Sequence, residues 1–255
     1  MSTASTAAVE QRPLSARAGE SLDSICGVRI LQRRHGYRFN LDPVLLVHFA
    51  MSHGVSGPAI DLGTGAGVIP LLLAHKFDVS SLTGLELQPE LYALAQRNVQ
   101  LNQLEDRVAL VNGDLRRAKS LFPAGAFSAV FANPPYRPAA LGNVSPNPER
   151  AIARHELSCT LQDVVAAAAH LLRNDGAFHM VYPAARLHVL LQQLLEKGLA
   201  PATLKLVHPR GQGPAKLALL TSYKGRGRPL EVLPPLFVHA DDRPYTEEVA
   251  RMLMP

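Results

Sequence analysis

The chain has 255 residues, 47% apolar and 18% charged, a balance that excludes a disordered or fibrous protein and leaves ample material for a buried core. Its 26 Lys and Arg against 21 Asp and Glu leave a net charge of +5. Two distant cysteines, Cys26 and Cys159, exclude a disulfide scaffold and fit a reducing, cytoplasmic setting, and no uncharged apolar run reaches the ~18 residues of a membrane span.

Residues 1–20, rich in Ser, Thr and Ala without an apolar core segment, read as a disordered tail rather than a secretory signal. The remainder, 21–255, reads as one domain with an N-terminal hairpin and helix added. The hairpin is expected over Leu22 to Leu31, turning near Gly27. A helix follows over Pro43 to His53, with Asp42 as its cap. Strands and helices then alternate: Ala59 to Leu62 and Leu82 to Leu87 as strands, with helices at Val68 to His75 and Pro89 to Asn102. Val108 to Val111 and the uninterrupted apolar run Phe127 to Ala132 are further strands. Leu161 to Leu172 is a helix that Gly176 ends, Ala177 to Tyr182 a strand and Ala184 to Glu196 a helix. Leu204 to His208 and Leu217 to Tyr223 are two strands joined by a Gly/Pro-rich loop, expected to form an antiparallel sheet edge. Such alternation implies an α/β fold, a mostly parallel sheet covered on both faces.

Two segments carry the chemistry. Ile60-Asp61-Leu62-Gly63-Thr64-Gly65-Ala66-Gly67 follows the first strand of this series and opens a helix. Alternate glycines permit a sharp turn and a close ligand approach, beside the free N–H groups of a helix start. Glu86, closing the next strand, can accept both hydroxyls of a ribose, a feature shared by NAD and S-adenosylmethionine folds. Asp61 is a carboxylate inside a strand, costly unless it holds something. Asp114, after the third strand, is placed either to accept from an adenine amino group or to cap a helix. The second segment is Asn133-Pro134-Pro135-Tyr136, at the same sheet edge. Prolines leave rigid carbonyl acceptors at such a turn. With the Asn133 side-chain oxygen they can grip both hydrogens of a planar –NH₂ group, while Tyr136 stacks on a flat substrate. Gripping both N–H bonds favours the pyramidal nitrogen of a methyl transfer. No metal is implied, since no His/Cys cluster has ligand spacing.

Together these motifs resemble the class I S-adenosylmethionine-dependent amino-methyltransferases. The resemblance narrows to the bacterial tRNA (adenine-37) N6-methyltransferases through Gly36-Tyr37-Arg38-Phe39-Asn40-Leu41-Asp42-Pro43-Val44-Leu45-Leu46, Ala153-Arg154-His155-Glu156, Val207-His208-Pro209-Arg210 and Leu233-Pro234-Pro235-Leu236. It covers roughly Leu22 to Glu248. It implies a Rossmann-like, seven-stranded sheet whose last strand is antiparallel, with helices on both faces. It further implies S-adenosylmethionine as cofactor. Asp61, Gly63, Gly65 and Gly67 would line the methionine part, Glu86 the ribose and Asp114 the adenine. Asn133, Pro134, Pro135 and Tyr136 would hold the target base, with Asp42 and Arg38 near the pocket as a lid.

Charge adds an expectation about the partner. Ser24 to Leu41 and Pro201 to Leu230 contain no acidic residue, and the second stretch carries Lys205, Arg210, Lys216, Lys224, Arg226 and Arg228. Such stretches are either solvated loops or contacts for a polyanion. Lys224, Arg226 and Arg228, interleaved with glycines, are the candidate RNA contacts. The long loop 137–150 is placed either to touch substrate or to sit as a surface loop. The leading function is methylation of adenine N6 in RNA, with a tRNA anticodon loop as partner. Protein glutamine methylation shares the Asn-Pro-Pro-Tyr turn, but those enzymes carry a helical domain where this chain begins like a hairpin. Ribosomal RNA as substrate, and a non-enzymatic RNA-binding role, stand as further alternatives.

Overall fold

The structure, a computed structural model, describes residues 15–35, 40–55, 57–134, 159–225 and 227–255. The expected hairpin is formed by β1 (Glu20–Ile25) and β2 (Val28–Arg33). Glu20 is held below the usual carboxylate range by the Arg97 guanidinium, which also donates to the Ser15 carbonyl at 2.9 Å. An eight-stranded sheet follows. Its strands are β3 (Ala59–Leu62), β4 (Leu82–Glu86), β5 (Val108–Asn112), β6 (Phe127–Ala132), β7 (Leu172–Pro183), β8 (Leu199–His208), β9 (Leu217–Lys224) and β10 (Glu231–Phe237), in the order β10-β8-β9-β7-β6-β3-β4-β5. All pairings are parallel except those of β9, which runs antiparallel between β7 and β8.

The helices are α1 (Asp42–Met51), α2 (Val68–Phe77), α3 (Pro89–Leu101), α4 (Ala118–Leu121), α5 (Leu161–Leu171), α6 (Leu187–Glu196) and α7 (Glu247–Leu253). Side-chain alternation along the central strands divides the core between the two sheet faces. On β6, Ala129 and Phe131 join a cluster with Leu45 of α1, Leu72 of α2 and Val249 of α7. Val130 and Ala132 join another, with Val164 of α5 and Leu190 of α6. Both β3 and β6 are buried along their whole length, as central parallel strands must be. The hairpin is fastened to α3 by fully buried Asn98. Its side chain bonds the Leu31 amide at 2.7 Å, the Leu31 carbonyl at 3.0 Å and the Ala66 carbonyl at 2.9 Å.

Four expectations are corrected. The sheet has eight strands, not seven, because Glu231–Phe237 adds outside β8; prolines lack ladder donors, so Pro234-Pro235 reads against a strand, but an edge position with a register shift between Leu233 and Leu236 admits them. The β8–β9 pair is therefore internal and not the sheet edge. Gly176 does not end the preceding helix. It lies inside β7, where an added Cβ would come within 2.9 Å of the Arg173 carbonyl, and α5 passes directly into the strand. Asp42 is the first helical residue of α1 rather than its cap; Leu41 takes the cap position, without a side-chain bond. Among the described residues no helix is long and apolar enough to cross a membrane.

Candidate active site

Parallel strands leave their carboxyl ends on one edge, and there the loops after β3, β4, β5 and β6 enclose a cavity of about 190 Å³. Ligands of open α/β sheets occupy this edge. Gly63, Gly65, Glu86, Asp114, Asn133 and Pro134 all line it. The glycine loop is folded over β4, since the amides of Gly63 and Thr64 both donate to the Leu85 carbonyl, at 2.8 and 3.0 Å. Gly63 has φ +74° and open space where a Cβ would stand, so any side chain there would project into unfilled volume. Glu86 is only 4% exposed, and its two oxygens accept from the Gly65 amide at 2.9 Å and the Gln88 amide at 2.8 Å. Each oxygen keeps a second lone pair for a ligand donor.

Asp114 takes the capping role and stands at the cavity wall. Its carboxylate caps the short turn Leu115–Arg117 by accepting from the Arg116 amide at 2.9 Å, and it pairs with the Arg116 guanidinium at 2.6 Å. That guanidinium holds its carboxyl below the usual range. Asp114 lines the cavity as well.

Asp61 behaves differently. It faces a smaller adjoining cavity bounded by Pro43, Gly63, Thr64, Ile69 and Asn133. It is 3% exposed and its Oδ1 has no hydrogen-bond partner. Burial pushes its carboxyl up to about 7; the neighbouring Thr64 hydroxyl opposes this and the Glu86 charge adds to it. Asn133 belongs to both cavities and so stands where they meet. Asp42 and Gly67 line neither. Asp42 accepts from the Asn40 side-chain amide at 2.8 Å, and its neighbour Pro43 faces the smaller cavity. Gly67, at φ +85°, is the left-handed entry to α2, packed toward Ala95 of α3.

Other wall residues escape a reading of motifs. Leu87, Leu115 and Val164 provide apolar surface, and Cys159 joins them from the start of α5. Thr160 opens that helix with a capping box to Asp163, the one local sign of where it begins. Burial, then the charges of Asp163 and Asp114, push the Cys159 thiol up to about 12, so it stays protonated. Among the described residues no group of three or more His, Cys, Asp or Glu gathers as a metal site.

Arg38, Pro135, Tyr136, His155, Arg226 and the loop 137–150 lie outside the described residues. Lys224 and Arg228, the candidate RNA contacts, lie toward the other end of β9 from Asn133. Ala132, which precedes Asn133, is level with Met180 and Leu220, and Lys224 lies four residues farther along β9, toward the opposite sheet edge. Lys224 donates to the Leu172 carbonyl at 2.8 Å, and Arg228 lies 4.0 Å from the Tyr223 ring centroid.

The chain is similar to known proteins. A protein of Porphyromonas gingivalis named tRNA1(Val) (adenine(37)-N6)-methyltransferase is 31% identical over 59% of this chain and 56% of its own length. A second strain's protein of that name is 29% identical over 68% of this chain and 66% of its own. The matched stretch thus spans between half and two thirds of these relatives. A predicted O-methyltransferase from Agrobacterium tumefaciens has the same fold, with a TM-score of 0.66 at 19% identity over 82% of this chain and 94% of that one. The family described as Methyltransferase small domain matches residues 42–202, a stretch that runs from α1 through all the loops around both cavities. The chain belongs to the methyltransferase small domain family.

Proposed function

We propose that this protein is an S-adenosylmethionine-dependent methyltransferase acting on the exocyclic N6 of an adenine in RNA, at position 37 of a tRNA anticodon loop. The observation that carries the reading is Asn133, set beside Pro134 at the junction of a cavity suited to a nucleoside and the small cavity that Asp61 faces. The cofactor passes a test on the residues present. Glu86 retains acceptor capacity, the Asp114–Arg116 pair stands farther along the wall, Leu87, Leu115 and Val164 supply apolar surface for a base, and Gly63 leaves space open. When bound, S-adenosylmethionine supplies an electrophilic methyl group.

The chain's own residues do the rest. In this reading the Asn133 side-chain oxygen accepts one N–H of the target amine and the Pro134 carbonyl the other. Both bonds strengthen as the nitrogen loses conjugation with its ring and gains positive charge. They are therefore worth more in the transition state than in the ground state. The surplus proton departs to water, so no strong base is required. Tyr136 serves as the stacking residue that holds the base flat. An anticodon-loop adenine is already partly unstacked, which lowers the cost of bringing it to such a turn. The names of the Porphyromonas relatives support the choice of tRNA and position. The reading implies one methyltransferase domain over 21–255, working in the cytoplasm where tRNA is modified.

Nucleoside mass spectrometry on tRNA from cells lacking the protein tests the reading. Loss of N6-methyladenosine at position 37 of one tRNA, restored by the purified protein and S-adenosylmethionine, is the expected result. An unchanged tRNA profile with lost glutamine methylation would overturn it.

A further inference from the structure

The carboxyl edge of the sheet carries a basic cluster that neither cavity uses. Beyond Pro183 the chain turns through Ala184–Arg186 before α6. The Ala184 amide donates to the Lys216 carbonyl at 3.0 Å, and the Lys216 amide donates to the Val207 carbonyl at 2.9 Å. Lys216 therefore stands between the ends of β7 and β8, at the entrance to β9. Arg210, three residues past Val207, donates to the Ala240 carbonyl at 2.9 Å and lies 3.8 Å from Asp241. His208 bonds the Gly213 carbonyl at 3.0 Å and folds this loop back on itself. The Arg186 guanidinium lies 5.6 Å from the Tyr182 ring centroid. Among the described residues, neither Arg186 nor Lys216 has a carboxylate partner.

Antiparallel geometry separates two halves of what the sequence presents as one basic stretch. Lys216 and Lys224 sit at opposite ends of β9, eight residues and so about 26 Å apart. Lys216 is on the edge where β6 delivers Asn133, two strands away across β7 and three residues beyond its level, or about 14 Å at the usual spacings. Lys224 is on the far edge with its ammonium committed to a backbone carbonyl. Lys205, from the same stretch, is paired with Glu248 at 2.8 Å.

We infer that Arg186, Arg210 and Lys216 form the surface that grips the phosphates of the RNA strand leading into the active site, an inference that rests on the function proposed above. Phosphate contacts fix the position of a nucleic acid without reading its sequence. Two cations without carboxylate partners, held by backbone bonds across three strand ends, provide a fixed footing for such contacts. Arg210 adds a fork of donors that matches phosphate geometry. The exposed carboxylates of Asp241 and Asp242 bound this surface on the β10 side. A strand lying across it would meet Asn133 at its β6 end.

Filter binding of tRNA over a salt series, with methyl transfer measured alongside, tests the inference. Arg186→Ala with Lys216→Ala should flatten the salt dependence of log affinity by about 1.4, at about 0.7 per single-strand phosphate, and raise the KM for tRNA. Calorimetric affinity for S-adenosylmethionine should stay unchanged. The charge-keeping pair Arg186→Lys with Lys216→Arg should retain the slope, and Lys224→Ala with Arg228→Ala should match the wild type. A wild-type slope in the first pair would overturn the inference. So would a slope flattened only in the Lys224 and Arg228 pair. A wild-type enzyme that binds S-adenosylmethionine yet methylates no RNA would instead overturn the function on which the inference rests.

Discussion

Two buried carboxylates flank the glycine loop, and the fold treats them in opposite ways. Glu86 gives both oxygens to backbone amides, whereas Asp61, equally buried, leaves Oδ1 without a partner. A satisfied buried anion is part of the architecture; an unsatisfied one is a cost carried by the fold until something at the site offsets it. Glu86 thus shapes the loop, and Asp61 stores unfavourable free energy beside Asn133, a pattern expected where structure is held ready for a ligand.

The largest expected effect falls on Asn133, which both cavities share. Asn133→Ala should lower methyl transfer at least ~10²-fold in single-turnover assays while cofactor affinity is kept, as expected for removal of one transition-state hydrogen bond. Retained transfer would sever the link between the cavities and the chemistry. The two carboxylates should next respond with opposite signs in urea unfolding at pH 8. Asp61→Asn should gain on the order of 2 kcal/mol, because it removes a carboxyl that is charged when unfolded and resists charging when folded. Glu86→Gln should lose about 1–3 kcal/mol, since its NH₂ must face an amide donor that now lacks an acceptor. A loss in both would erase the contrast.

The pH dependence sharpens it. Asp61 is raised from 3.8 to about 7, so the folded state binds the extra proton between these values and stability rises as pH falls through that window. His179 is fully buried in β7, its Nδ1 bonded to Thr221 at 2.9 Å and its Nε2 without a partner. Burial, with a smaller contribution from His53, lowers it from 6.5 to about 3, so the unfolded state binds the proton first and stability falls as pH drops through that window. The two trends oppose each other over nearly the same range. Wild-type stability should therefore change little between pH 6.5 and 4, and Asp61→Asn should lose stability steeply there. Parallel wild-type and variant profiles would show that Asp61 titrates as an ordinary carboxylate. The smallest effect belongs to a wall that touches neither carboxylate: Thr160→Ala should cost about 1 kcal/mol through loss of the α5 cap, with little change in transfer rate.

What the sequence discloses about this site depends on how local the determinant is. Gly63, Gly65 and Asn133 sit immediately after apolar strands, so strand direction alone brings them to one edge. Glu86 and Asp114 are legible for the same reason. Gly67, in the glycine loop, and Asp42, in the segment before it, line neither cavity, because their places are set by helix entry and helix packing. Cys159 and Val164 reach the wall only through the way α5 lies on the sheet, which no nearby residue announces. Lys224 and Lys216 look equivalent along the chain and are separated by strand direction, a property of pairing. Pro201 conceals the first half of β8 and Pro234-Pro235 the whole of β10, since both sit at register shifts where a missing donor is tolerated.

The place of β9 in the sheet bears on how the protein is made. Translation delivers β7 and then β8 before β9, yet β9 is the strand that separates them. Until the ribosome has released Lys224, β7 has one open edge and β8 has no partner on its β9 side. Exposed edges of this kind invite pairing with other chains. The glycine loop, Glu86 and Asn133 all emerge earlier, on strands that can already pair with one another. The nascent protein can therefore assemble its active-site half first, and the late insertion of β9 becomes the step at which synthesis rate and aggregation compete.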